Sequence, residues 1–176
     1  MFKKMLFIAV CCFLNQLSAD TIGNIEYNLP KTEHGWKLDS TKTESSGTVV
    51  KFYLPDPLLE NQSPEFFGAT YNKSPGGAHN KDSLIALLKE KYPNNEVHVD
   101  IIEKLPDSIL YEWSVGKPSQ QGGIHGWTRI FSVAQGTITL GYITQKSPNQ
   151  IEKLRPIWIQ TLKDAKKLQN ETLLKS

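Results

Sequence analysis

Ser108-Ile-Leu-Tyr-Glu-Trp-Ser-Val115, Trp127-Thr-Arg-Ile-Phe-Ser-Val133 and Thr137-Ile-Thr-Leu-Gly-Tyr-Ile-Thr144 are three β-type runs in close succession, the last two joined only by Ala134-Gln-Gly136. Each is rich in β-branched and aromatic residues. The first places Ile109, Tyr111 and Trp113 on one face and Leu110, Glu112 and Ser114 on the other. Parallel neighbours need a crossover of a dozen or more residues, so these short links predict an antiparallel meander. Just upstream, Glu96-Val-His-Val-Asp-Ile-Ile102 alternates in the same way, with Val97, Val99 and Ile101 inward and His98 and Asp100 outward.

Working outward from this meander, a helical period takes over on both sides. Leu84, Leu87 and Leu88 follow Asn80, a residue able to cap the unpaired N–H groups of a first turn, and this helix ends at Tyr92 before Pro93. Ser147-Pro148 opens a second helix, with Ile151, Leu154, Trp158, Leu162, Ala165 and Leu168 in one stripe. Pro156 lies inside that stripe and removes one backbone bond, which predicts a kink or break there. The tail from residue 170 to 176 is expected to fray. The N-terminal part reads as a strand over 24–30, a short strand from Trp36 to Leu38, a polar loop over 39–47, a strand over 48–54 and another over 66–71. The expected fold is α+β, in the order ββββαββββα: a mainly antiparallel sheet of about seven or eight strands with two helices packed on it.

The first residues supply an address. Lys3 and Lys4 precede the uncharged apolar run Met5–Leu14, and Asn15-Gln-Leu-Ser-Ala19 ends in small residues. That is the layout of a secretory leader, and the apolar run is too short to span a bilayer as a helix. Cleavage is expected after Ala19, although Leu17 is larger than the ideal residue three places before the cut. Lipid attachment at Cys11 or Cys12 is disfavoured, because Val10 and Cys11 stand where a small residue is needed. Residues 1–19 are thus read as a signal peptide and 20–176 as one exported domain, periplasmic or extracellular, with no transmembrane segment. The export style is bacterial. Lys3 and Lys4 carry the whole formal charge of +2, both cysteines and both methionines leave with the leader, and the remainder holds 18 basic and 18 acidic residues. A neutral chain gives no electrostatic case for nucleic acid, and one without cysteine excludes thiol chemistry.

The order of elements resembles the PsbP/DcrB-type sandwich, in which an antiparallel sheet lies between helices. The features that carry it are the early strand followed by tryptophan (Ile25 to Trp36), the central helix Asn80 to Tyr92, the meander Arg129 to Thr144 and the closing Trp158 helix. The resemblance implies a mostly non-catalytic superfamily of accessory subunits, envelope proteins and partner-binding domains. It transfers no functional residue, and fold analogy alone assigns no function.

Motifs for chemistry are sparse. His98 and Asp100 share a strand face two residues apart, a possible start for a metal site that would still need a third ligand; the competing reading is an exposed polar strand face, so no metal and no cofactor are expected. No Gly-x-Ser-x-Gly elbow or phosphate loop occurs, and a set such as Ser119, His125 and Asp100 can be assembled on paper from any chain of this length. Binding is best sought in the glycine-rich connection Gly116–Gly126, where Gln120, Gln121, Ile124 and His125 stand beside Trp127. The leading expectation is an exported, non-catalytic domain that binds a protein or cell-envelope component. The alternative is a secreted or periplasmic hydrolase, metal-assisted through His98 and Asp100. A carrier with an apolar pocket framed by the aromatic sheet is the third.

Overall fold

In the computed structural model, residues 19–31, 35–56, 64–73, 80–116 and 123–168 are described. They run β1 (Asp20–Ile22), β2 (Ile25–Tyr27), β3 (Gly35–Thr43), β4 (Val49–Asp56), β5 (Glu65–Asn72), α1 (Lys81–Lys91), β6 (Val97–Leu105), β7 (Ser108–Val115), β8 (Ile124–Val133), β9 (Gly136–Thr144), α2 (Pro148–Asp164) and β10 (Lys166–Lys167). Seven strands form one sheet in the order β3-β4-β5-β9-β8-β7-β6, antiparallel at every junction. The short β1, β2 and β10 form a second, three-stranded sheet. The α+β class and the β6–β9 meander follow the sequence reading.

The strand count and order do not. Among the described residues there are ten strands, five of them before α1, and a short one follows α2. The strand expected over 24–30 is present as the shorter β2, and the unforeseen β1 precedes it in a hairpin turning at Gly23-Asn24, where Gly23 has φ +56°. Residues 39–43, expected to be loop, continue β3. They are polar because β3 is the sheet's edge strand and almost wholly exposed, and an irregularity between Leu38 and Ser40 breaks the period-two pattern. β8 begins at Ile124, three residues before its expected start.

The helix α1 begins as its cap predicts, with Asn80 Oδ1 accepting from the Ser83 N–H at 2.8 Å. It buries Leu84 and Leu88 against Val99, Tyr111, Trp113, Val115 and Ile130, on one face of the β6–β8 half of the sheet. The opposite face carries α2 and the small sheet. Its core is a column of rings in which Tyr142 stacks on Trp158 at 4.0 Å between centroids, Trp127 on Tyr142 at 5.9 Å and Phe67 on Trp158 at 5.8 Å.

The helix α2 is continuous through Pro156, with no break. Both Pro156 and Glu152, whose carbonyl loses its partner to the proline, are exposed, so water can take up that carbonyl. The helix stops at Asp164 rather than running on to Leu168. Buried Arg129 of β8 explains the stop: its Nη1 donates to the carbonyls of Leu162 at 3.0 Å and Lys163 at 3.1 Å. A cation at the negative end of the helix satisfies groups that would otherwise ask for another turn. The chain then leaves the helix to pair Lys166 and Lys167 with Glu26 and Ile25 of β2.

Candidate functional site

The strand register puts several of the expected site residues on one face. Reading across the sheet, His98 lies opposite Ser114, Ser114 opposite His125 and His125 opposite Thr144; in the next row Asp100 lies opposite Glu112 and Glu112 opposite Trp127. Neighbourhood does not become a cluster. His98 is 58% exposed and points Nε2 at Glu96, 3.1 Å away. Among the described residues, no three His, Cys, Asp or Glu side chains are placed to hold one metal ion.

His125 is tied down more firmly. Its Nε2 donates to Glu112 Oε1 at 3.1 Å, and Glu112 Oε2 accepts from Arg155 Nε at 2.8 Å, so one carboxylate joins β7, β8 and α2. Burial raises the pKa of Glu112, but the hydrogen bonds from His125 and Arg155 outweigh it and hold the group below the usual carboxylate range. The other ring nitrogen, Nδ1, is buried and has no hydrogen-bond partner among the described residues. Of the remaining loop candidates, Ile124 packs toward α1, and Trp127 is fully buried beneath the His125 ring. Gln120, Gln121 and Ser119 lie outside the described residues.

A second location combines shape with polar groups. A cleft of ≈570 Å³ opens between the β2–β3 connection and the start of β1. The buried Tyr27 and Tyr53 form its floor, Trp36 and the apolar Leu29, Pro30 and Leu38 line it, and the exposed Asn28 and Lys31 stand at its mouth. Beneath it runs a hydrogen-bonded chain. Tyr53 donates its phenolic proton to Asp20 Oδ2, and the two tyrosine oxygens are 2.8 Å apart, so Tyr27 donates to Tyr53. Asp20 Oδ1 accepts from Lys51 Nζ at 2.7 Å.

Burial alone would raise the Asp20 pKa. The bonds from Lys51, Tyr53 and the Thr21 N–H win, and the carboxyl stays below its ordinary value. Burial pushes both tyrosines far above the ordinary phenol range, with bonding to Asp20 adding to the effect at Tyr53, so both remain neutral. The Nε1–H of Trp36 is buried without a partner among the described residues, while Leu38 is left 44% exposed. Apolar walls over a hydrogen-bonded tyrosine floor, with polar Asn28 and Lys31 at the mouth, suit a ligand that is itself part apolar and part polar.

Two smaller hollows, of ≈170 Å³ at the β6–β7 turn, where Lys104, Asp107, Ser108 and Ser132 line it, and of ≈280 Å³ beside Tyr71 and Gln135, each have less than half the volume of the cleft. Nothing in the sequence singled out the cleft, because its residues come from β1, β2, β3 and β4. No protein-family model, curated protein or solved structure matches the chain.

Proposed function

We propose that this chain is an exported, non-catalytic domain that binds a protein or cell-envelope component, and that its ligand occupies the cleft above Tyr27 and Tyr53. The cleft itself carries this reading: ≈570 Å³ of concave space walled by Trp36, Leu29, Pro30 and Leu38, with Asn28 and Lys31 at its mouth. The leader-like residues 1–19 support the address, and the superfamily resembled is in keeping with a binding role. NMR titration of the labelled protein with detergent-solubilised envelope extract tests it. The resonances of the Trp36 indole and the Leu38 and Tyr53 amides are expected to shift first. Shifts confined to His125, Glu112 and Arg155 would move the site to the other patch, and an unresponsive spectrum would remove the reading.

The hydrolase alternative has one observation in its favour, the His125–Glu112 pair at 3.1 Å. No nucleophile is placed for it among the described residues, where Nδ1 of His125 meets no hydroxyl and both oxygens of Glu112 are occupied; Ser119 lies outside them. Stoichiometric zinc in the purified protein, lost in His98→Ala, would restore the metal-assisted form.

A further inference from the structure

Ala19 and Asp20 both line the cleft, so the bond at which the leader would be cut joins two of its lining residues. Asp20 is firmly placed there. Its carboxylate takes Lys51 and Tyr53, and its backbone lies opposite Tyr27 in the β1–β2 ladder. Resting on the cleft reading above and on a leader that ends at Ala19, we propose that removal of the leader completes the ligand site. The α-ammonium of Asp20 becomes the anion anchor of the cleft, and the ligand is an amphipathic anion, an acyl chain with a carboxylate or phosphate head.

Leader peptidase adds one water across the Ala19–Asp20 bond, leaving a carboxylate on the departing leader and an ammonium on Asp20. Before the cut, the charges of Asp20 and Lys51 cancel, and only Lys31 stands at the mouth. After it, the cleft gains a full positive charge with three N–H donors, and the exposed Ala19 no longer borders it. The phenols cannot serve an anion, because the proton of Tyr53 goes to Asp20 and that of Tyr27 to Tyr53. Their role is to hold the new terminus in place. Leu29, Pro30 and Leu38 then receive the acyl chain.

Two forms of the mature chain test this, one beginning at Asp20 and one with Gly-Ser ahead of Asp20. Each is titrated calorimetrically with dodecanoate, dodecyl phosphate and dodecyl maltoside below their micellar concentrations. The two anions are expected to bind the Asp20-start chain about tenfold more tightly than the extended chain, the worth of one charge-assisted hydrogen bond, while the maltoside binds both alike. Equal anion affinities for the two forms, both abolished by Leu38→Asp, would overturn the ammonium anchor and leave the cleft standing. Binding that ignores Leu38→Asp would overturn the cleft as well. A preference for the maltoside over both anions would overturn the ligand class, and a failure of all three to bind either form would overturn the proposal as a whole.

Discussion

Gly126 shows how much one missing side chain decides. A β-carbon there would lie 2.5 Å from Cζ2 and 2.6 Å from Cε2 of Trp113, on the neighbouring strand β7. Only a glycine lets the indole lie flat over β8 and reach Thr128, whose Oγ1 accepts from Trp113 Nε1 at 2.9 Å. Gly126→Ala forces the indole or the strand to move, an overpacking cost of about 1–3 kcal/mol. Urea denaturation measures it, and an unchanged midpoint would show that the indole has room to give. The sequence reading took this glycine for part of a flexible connection, because glycine normally interrupts strands and the close approach of Trp113 is a tertiary fact. Trp127 is read both as the start of a strand and as a neighbour of the binding loop. Beside a loop it looked available for binding, yet the sheet turns it inward to stack on Tyr142.

At the scale of elements, the two helices were legible from their N-terminal caps and apolar stripes, whereas the end of α2 was not. Its stripe continues through Ala165 and Leu168, so periodicity alone extends the helix. What ends it is Arg129, distant in sequence, whose guanidinium also takes Ser108 Oγ at 2.9 Å through Nη2. Arg129→Leu leaves two helix carbonyls and a hydroxyl without their donor in a buried place. A loss of about 3 kcal/mol is expected, with faster amide exchange confined to the last turn of α2 and to β10. Unchanged protection there, whatever the global stability, would show that Arg129 does not hold the helix end. The strand β3 is recognised only at its start, Trp36 to Leu38, because the rest of it has almost no buried face to give an alternating pattern. The cleft was illegible because four separate segments build it.

For the whole molecule, Asp20 and Glu112 are two of the carboxylates that fasten layers together. Asp20 ties β1 to β4, and Glu112 ties the sheet to α2. Both have folded-state pKa values below their ordinary ones, so their contribution is fully present above about pH 4, the unfolded value, and is lost as pH falls through the folded values. Stability should therefore decline below about pH 4, and Glu112→Gln should flatten part of that decline. A denaturation midpoint constant from pH 6 to pH 2.5 would contradict it. The α1 face has no such fastening in its core of Leu84, Leu88 and Trp113, so the acid state is expected to open first on the side of α2 and the small sheet.

The junction of β5 with β9 carries a consequence for how the protein comes into being. It pairs Glu65 with Thr144 and Asn72 with Thr137, and it alone attaches the β3–β5 half of the large sheet to the β6–β9 half. Until residues 136–144 have emerged, the first half has no neighbour on its inner edge, and until Trp158 follows, the ring of Phe67 has no indole to stack on. Such distant pairing is slow to form. A chain that cannot close before its last third arrives stays threadable while it is being made, which would suit the export proposed above.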